Sequence, residues 1–262
     1  MLKPITSRDN PLIKRLRKLA ESSRARRSEG TALIEGVHLV TAALDAGRPL
    51  GELLVSESGS RAPEVQGLLD RARDVSAYLL PDALFALISA HETPVGVLAT
   101  IGWGVAVAPP PEDADWLVLD GVQDAGNVGT LMRTAAAAGV ACVLLGPGCA
   151  QAWGPKVLRA AMGAHFVLDL YEVDDLPGLL SGYAGQIAAT RLDAAVSLYD
   201  CELVGPTAWL FGAEGQGLSP ILAQMATRGV VIPMAPGIES LNVAAAAAIC
   251  LFEQRRQRLW AR

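Results

Sequence analysis

The sequence contains few of the residues on which metal and redox chemistry depend. Its three histidines are scattered, and no two of its four cysteines form a C-x-x-C pair. A metal site therefore has few candidate ligands, and such cysteines are typical of buried, reduced thiols in a cytosolic protein. We expect no bound metal and a cytoplasmic location. The cysteines are Cys142, Cys149, Cys201 and Cys250.

Long apolar runs are missing as well. The longest, such as residues 243–252, fall short of the roughly 20 residues that a membrane-spanning helix needs. The amino-terminal residues carry charges but no apolar stretch typical of a signal peptide, so we expect neither a secretion signal nor a membrane partner. With 262 residues, 51% of them apolar, the chain can form one large domain or two ordinary ones.

Two common nucleotide-binding fingerprints are also absent. No glycine cluster follows the G-x-G-x-x-G pattern of Rossmann dinucleotide sites, and there is no phosphate-loop lysine. These absences argue against a nucleotide-dependent oxidoreductase and against the common class of Rossmann-type methyltransferase.

Charge is distributed unevenly along the chain. The net charge is −5, but residues 1–30 hold nine basic and three acidic residues, which leaves that segment near +6 and the remainder near −11. A basic arm on an acidic body is typical of proteins that bind a polyanion. The alternative is a solvated amphipathic helix, because Leu12, Leu16 and Leu19 follow helical spacing. The candidate RNA contacts are Lys14, Arg15, Arg17, Lys18, Arg24, Arg26 and Arg27.

The order of apolar runs and turn residues predicts two domains. Residues 1–107 are predicted to form a small α/β unit in which residues 22–30 are a mobile connector between a helix and a strand. Three consecutive prolines mark a linker at residues 108–114, because proline cannot continue a helix or a central strand. Residues 115–262 alternate strand-like and helix-like runs, which predicts a mostly parallel sheet covered on both faces.

Three strand-like runs of the second domain break into polar or glycine-bearing loops. In open α/β sheets, ligands bind at such loops, outside the carboxyl ends of the strands. After the first run we expect a helix over residues 130–138, with Arg133 in its first turn. An anion held between Arg133 and the helix amides would explain a cation at that end. The alternative is a salt bridge from Arg133 to Asp120, Asp124 or Glu214.

The other two loops add glycine and small residues. Glycines at 212, 215 and 217 allow a backbone to approach a ligand closely, although such a cluster is often only a turn. In the third loop, Ser240 is predicted to cap the final helix. That helix opens with alanines 244–248, which indicates close packing against a neighbouring element or a second subunit, unless helix propensity alone explains them.

These stretches resemble the three signature motifs of the SpoU/TrmH family of RNA 2′-O-ribose methyltransferases, which belong to the SPOUT group. The motifs are N-x-G-T-x-x-R-T-A at residues 127–135, F-G-x-E-G-x-G at 211–217, and I-P-M at 232–234 with S-L-N-V at 240–243. Residues 1–107 resemble the family's ribosomal-protein-like RNA-binding extension, through I-T-S at 5–7, I-E-G at 34–36 and T-P-V-G-V at 93–97. The family usually has glutamine where Val95 stands.

The resemblance implies an α/β SPOUT domain with a parallel sheet and a deep trefoil knot, preceded by the small α/β RNA-binding domain. It also implies a homodimer and S-adenosyl-L-methionine as cofactor. Cofactor contacts are expected from Leu210, Phe211, Gly212, Gly215, Ile232, Met234, Ile238 and Leu241. The residues that match the family's catalytic and polar site positions are Arg133, Asn127, Glu214, Ser240 and Asn242.

The implied reaction is transfer of a methyl group to the 2′-hydroxyl of a ribose in RNA. The two-domain layout favours ribosomal RNA, and single-stranded regions or loops are the expected target because duplex RNA hides its base edges. Arginine stays protonated, so we expect Arg133 to act as an electrostatic anchor rather than a base. The alternatives are a transfer RNA 2′-O-methyltransferase and a non-catalytic RNA-binding or ribosome-assembly protein that retains the fold.

Overall fold

The computed structural model describes residues 2–91, 93–103 and 108–260, which form two compact units. The amino-terminal unit comprises Met1–Gly104 and Trp153–Phe166, and the carboxy-terminal unit comprises Val105–Ala152 and Val167–Arg262. The predicted change from domain to linker after residue 107 falls beside residues 104–107, which lie outside the described residues. The domain bounds given above therefore stay predictions.

The chain alternates strands and helices along its length. Its first part contains β1 (Lys3–Pro4), α1 (Pro11–Glu21), α2 (Ser23–Glu29), β2 (Thr31–Glu35), α3 (Val37–Asp45), β3 (Leu50–Ser56), α4 (Pro63–Arg71), β4 (Ser76–Leu80), α5 (Asp82–Phe85) and β5 (Val97–Gly102). Its second part contains β6 (Trp116–Asp120), α6 (Ala125–Ala138), β7 (Cys142–Leu145), α7 (Pro155–Ala161), β8 (Asp169–Glu172), α8 (Leu176–Leu180), β9 (Gln186–Thr190), β10 (Thr207–Gly212), α9 (Pro220–Met225), β11 (Arg228–Val230) and α10 (Val243–Trp260).

The amino-terminal unit is built on a mixed five-stranded sheet with the order β1-β4-β3-β5-β2. Strand β4 runs parallel to β1 and β3, whereas β5 runs antiparallel to β3 and β2. Helix α1 buries Ile13, Leu16 and Leu19 in a cluster with Leu54 of β3 and Leu98 of β5. The charged side of α1 therefore faces solvent while its apolar stripe closes the core.

The predicted connector at residues 22–30 is wrong, because most of it forms helix α2. The Ser22 hydroxyl accepts a hydrogen bond from the Ala25 amide at 3.2 Å, and the helix ends at Gly30, whose φ is +58°. A serine cap and a left-handed glycine are the usual boundaries of a helix. Inside it, Arg26 is buried and its Nη1 donates to the Leu19 carbonyl at 2.6 Å.

The carboxy-terminal unit contains a six-stranded, entirely parallel sheet with the order β11-β9-β10-β6-β7-β8. Its central strands are buried, with Trp116 and Trp209 among the largest enclosed side chains. The final helix α10 packs against α6. The predicted α/β fold with a parallel sheet is confirmed, and the carboxyl ends of β6, β9, β10 and β11 lie at one edge.

Helix α6 begins earlier than the sequence predicts. Its amino-terminal cap is Asp124, whose Oδ1 accepts from the Asn127 amide at 2.7 Å, and the helix starts at Ala125 rather than at residue 130. The carboxylate cap outweighs the helix-disfavouring glycines that follow it. Arg133 is therefore the ninth residue of the helix, and its predicted position in the first turn is wrong.

Helix α10 also differs at its start. Asn242, rather than the predicted Ser240, caps it: the Asn242 Oδ1 accepts from the amides of Ala244 and Ala245 at 2.9 and 3.3 Å. Ala244 and Ala247 are buried. Part of the alanine run thus packs within the chain, in agreement with the close packing expected of it.

Within the described part of the chain, no helix is long and apolar enough to cross a membrane. The same residues contain no group of three or more His, Cys, Asp or Glu side chains arranged to hold a metal ion.

Candidate active site

The three motifs meet through a chain of side-chain hydrogen bonds. Asn127, in the first turn of α6, donates from Nδ2 to Oε1 of Glu214 in the loop after β10, at 2.5 Å. Asn242 donates from Nδ2 to Oδ1 of Asn127 at 3.0 Å. Because Asn242 also caps α10, one side chain joins the end of that helix to the other two motifs. These residues are 87 and 115 positions apart in sequence, so only the fold brings them together.

A cavity of about 490 Å³ opens beside this network. Its walls come from the ends of β9 and β10, the segment after β11, and the start of α10. The lining residues include Thr190, Arg191, Leu192, Leu210, Phe211, Gly212, Ala213, Glu214, Gly217, Leu218, Val231, Ile232, Met234, Ser240, Leu241, Asn242, Val243 and Ala246. Apolar walls with a few polar groups at the rim are typical of sites for small organic ligands, and the volume is in the usual range.

Most of the residues predicted to contact a cofactor line this cavity. The ones that do are Leu210, Phe211, Gly212, Ile232, Met234 and Leu241. Gly215 and Ile238 lie in the adjoining loops and are not part of the wall, and the Ile238 side chain is largely exposed. Their assignment to the cofactor stays a prediction.

The glycines of the second motif allow a very tight loop. A Cβ atom on Gly212 would lie 2.1 Å from the carbonyl carbon of Gly217, so no larger residue fits there without moving the main chain. Gly217 has φ +69° and its amide donates to the Ala213 carbonyl at 2.8 Å. The loop therefore folds back on itself at the cavity wall, which requires glycine at both positions.

The end of β9 contributes three lining residues that the sequence analysis missed: Thr190, Arg191 and Leu192. Arg191 donates from Nε and Nη2 to the two carboxylate oxygens of Asp193, each at 2.9 Å. This pairing raises the pKa of Arg191 and lowers the pKa of Asp193. The sequence does contain a signal for this loop, because polar residues follow β9 as they follow β6, β10 and β11.

Arg133 lies apart from the cavity. It is exposed on α6, six residues after Asn127, which places it about 9 Å further along the axis and about 240° around it. It does not line the cavity. No described residue forms an ion pair with it within 4.0 Å, so the alternative of an internal salt bridge is not observed.

The three carboxylates suggested as partners of Arg133 accept hydrogen bonds from other residues. Asp120 accepts from the Ser219 amide at 2.7 Å, Asp124 caps α6, and Glu214 accepts from Asn127. Arg133 thus presents its charge to solvent in the isolated chain.

The predicted RNA contacts differ in their surroundings. Arg15 forms ion pairs with Glu29 and Glu52 at 2.7 and 3.0 Å. Arg17 pairs with Glu21 at 2.8 Å and Lys14 pairs with Asp9 at 2.9 Å. Arg26 is buried, whereas the remaining candidates are exposed; these are Lys18, Arg24 and Arg27. Much of the positive charge of this segment therefore has acidic neighbours in the same unit.

The parallel α/β domain, the cavity and the polar network agree with what comparison to known protein families shows. The sequence model of the SpoU rRNA methylase family matches residues 116–252, and a model of the MRM3-like substrate-binding domain matches residues 10–99. The chain belongs to the SpoU rRNA methylase family.

Individual relatives agree along nearly the whole chain. An uncharacterized tRNA/rRNA methyltransferase of Synechocystis is 38% identical over 98% of this chain and 94% of its own length. The 23S rRNA (guanosine(2553)-2′-O)-methyltransferase RlmP of Bacillus subtilis is 32% identical over 97% of this chain and 100% of its own. The structure of an AdoMet-bound rRNA methyltransferase from Sinorhizobium meliloti superposes with a TM-score of 0.84, at 29% identity and with 98% of each chain covered.

Proposed function

We propose that this protein transfers a methyl group from S-adenosyl-L-methionine to the 2′-hydroxyl of a ribose in RNA, with ribosomal RNA as the substrate class. The observation that carries the proposal is the Asn127–Glu214–Asn242 network at the edge of the cavity. Membership of the family and the match to a substrate-binding domain support it.

The cavity suits this cofactor in size and in chemistry. Leu210, Phe211, Ile232 and Leu241 provide apolar surface for an adenine ring, and the tight loop at Gly212 brings main-chain groups to the wall. When bound, the cofactor supplies an electrophilic methyl group. Gly215, Met234 and Ile238 are proposed to complete its surroundings from the loops, and Thr190 and Arg191 are added as polar groups from the end of β9.

The reaction joins the methyl carbon to the ribose 2′-oxygen and releases the hydroxyl proton. Arg133 is proposed to hold the phosphate beside the target ribose and to stabilise the negative charge that develops on the oxygen. Since its guanidinium cannot accept the proton, the proton leaves to that phosphate or to water. Glu214 and Asn127 fix the loop that faces the substrate, while Ser240 provides a hydroxyl at the cavity wall.

We further propose that the enzyme works as a homodimer, in the cytoplasm. Arg133 does not line the cavity of its own chain, and a second copy would supply a cavity for it. Exposed positions on α6 and α10, among them Ala245 and Phe252, offer apolar surface for such an interface. A carboxy-terminal trefoil knot belongs to the same proposal, supported by the similarity to solved structures of the family.

Cofactor binding and methyl transfer, measured together, test the proposed function. Isotope-labelled S-adenosylmethionine is incubated with ribosomal RNA or with transfer RNA, using the wild type and Ala246→Trp, which fills the cavity. Ala184→Trp, on an exposed loop residue outside the cavity, is the matched control.

We expect label in ribosomal RNA with the wild type and the control, and neither binding nor transfer with Ala246→Trp. Label confined to transfer RNA would change the substrate class. Cofactor binding by the wild type without transfer to any RNA would favour a non-catalytic protein.

A further inference from the structure

A second cleft, of about 420 Å³, lies in the amino-terminal unit. Its walls come from the segment that follows α5 and from helix α7. The lining residues are Ala90, His91, Thr93, Pro155, Lys156 and Arg159. We call it the Lys156 cleft. It combines two cationic side chains, an imidazole and a hydroxyl, and none of its described lining residues is a carboxylate.

A buried carboxylate fixes one wall of the cleft. Glu35, at the end of β2, is 8% exposed, and its two oxygens accept from the Ser89 hydroxyl at 2.5 Å and the Ala90 amide at 3.0 Å. The His91 amide donates to the Ser89 hydroxyl at 3.0 Å, and the His91 Nε2 lies 3.9 Å from Glu35. These hydrogen bonds to the buried Glu35 side chain hold the segment in place, so His91 has a defined position.

Helix α7 provides the other wall. It packs against β2 and buries Val157 and Leu158. Lys156 and Arg159 are exposed and stand three residues apart, which places them on neighbouring positions of the helix surface. Within the described ranges, neither side chain forms an ion pair. Two cations are therefore close together at one rim, and no carboxylate of the described residues pairs with either of them.

Three cations of the basic arm are less available to a polyanion than Lys156 and Arg159. Arg15, Arg17 and Lys14 each have an acidic partner within 3.0 Å. Binding a phosphate there exchanges one ion pair for another, whereas at Lys156 and Arg159 it creates a new pair. Release of condensed counterions by such new pairs drives the binding of nucleic acids.

We propose that the Lys156 cleft binds the sugar-phosphate backbone of the RNA substrate. The proposal rests on the proposed function and names where the RNA is held away from the reacting ribose. Lys156 and Arg159 pair with phosphates, while Thr93 and His91 donate hydrogen bonds to phosphate or ribose oxygens. Since such contacts position a nucleic acid without reading its bases, the cleft contributes affinity that does not depend on sequence.

Salt-dependent RNA binding by the full-length protein tests this proposal. The probe is a short single-stranded oligoribonucleotide, and the variants are Lys156→Ala/Arg159→Ala and the charge-conserving Lys156→Arg/Arg159→Lys. The control is Arg71→Ala/Arg73→Ala, which removes the same charge from residues that already have acidic partners. Thermal melting and S-adenosylmethionine binding are measured on each protein to verify folding.

The double alanine variant is expected to bind RNA at least about tenfold more weakly, and its plot of log affinity against log salt is expected to flatten by about 1.4, since each contact on single-stranded RNA contributes about 0.7. The charge-conserving variant should retain the slope. Equal weakening in the control, or an unchanged slope in the alanine variant, would overturn the proposal. If the wild type binds this RNA through the cleft but transfers no methyl group to any RNA, the result contradicts the proposed function and leaves the proposed RNA contact standing.

Discussion

Arg133 lies at a different place in its helix from the one that the sequence predicts. The sequence predicts a first-turn cation at the helix end, and the structure places it in the middle of α6 with an exposed side chain. Its proposed role as an anchor for RNA therefore does not depend on the helix dipole. It depends on the geometry of the guanidinium, which binds phosphate with two parallel hydrogen bonds.

That geometry predicts the behaviour of a conservative variant. Arg133→Lys keeps the charge but loses the paired donors, so we expect methyl transfer to fall by about a hundredfold or more while S-adenosylmethionine binding stays unchanged. Single-turnover rates and cofactor titrations measure the two effects. Near-full activity with an unaltered pH profile would contradict a specific role for the guanidinium.

Asn242 has two roles that two substitutions separate. Asn242→Asp keeps an oxygen to cap α10 but removes the amide that donates to Asn127, whereas Asn242→Ala removes both. We expect the alanine variant to lose about 1 kcal/mol of unfolding free energy and the aspartate variant far less. Both are expected to lose activity. Urea unfolding and methyl-transfer rates test this, and equal destabilisation of the two variants would show that the cap is unimportant.

Among the elements, α10 is anchored at its far end by a partly buried polar network. Asp115 has a side chain only 10% exposed, and it accepts from Arg258, from Gln254 at 3.0 Å and from the Thr207 amide at 3.0 Å. Gln254 in turn accepts from the Trp209 indole at 2.6 Å. The network ties the last helix to the starts of β6 and β10.

Removal of Asp115 should therefore be costly. Asp115→Ala removes an acceptor shared by the Arg258 guanidinium and two further donors, and we expect a loss of about 1.5–3 kcal/mol in unfolding free energy. Glu21→Ala, which breaks an exposed pair with Arg17, is the control and is expected to cost less than about 1 kcal/mol. Denaturant titration compares them, and similar losses would mean that the network contributes little.

Helix α1, which has strong local signals, agrees with its prediction, whereas two strands whose bounds depend on distant partners were missed or displaced. The apolar stripe and the proline start are local signals that predict a helix over residues 11–20, and α1 is observed over Pro11–Glu21. Strand β1 was missed, because Lys3 and Pro4 pair with Tyr78 and Leu79 far along the chain. The sequence predicts a strand over residues 167–170, whereas β8 is observed over Asp169–Glu172, where it pairs with β7.

The same distinction applies to the site. The three motifs could be read from the sequence, but the hydrogen bonds of Asn127 to Glu214 and Asn242 depend on how the strands are ordered. The position of Arg133 depended on where α6 begins, which the Asp124 cap decides. Glycines at 126 and 129 suggested a loop, and only the capping contact shows that they lie inside a helix.

At the scale of the whole molecule, each active site of the proposed dimer combines the cavity of one chain with Arg133 of the other. A mixture of Arg133→Ala and Ala246→Trp chains then forms heterodimers in which one intact cavity faces one intact Arg133. After exchange of subunits we expect about a quarter of the wild-type activity from two variants that are inactive alone. No recovery, despite demonstrated subunit exchange, would mean that Arg133 serves the cavity of its own chain.

The most direct test of the proposed reaction is the chemical position of the transferred methyl group. Alkali cleaves RNA through attack by the 2′-oxygen, so a methylated ribose leaves an alkali-resistant dinucleotide. After reaction with labelled S-adenosylmethionine and ribosomal RNA, we predict label in such a dinucleotide with the wild type and none with Arg133→Ala, although the variant still binds the cofactor. Label in alkali-released mononucleotides, or equal labelling by both proteins, would contradict the account.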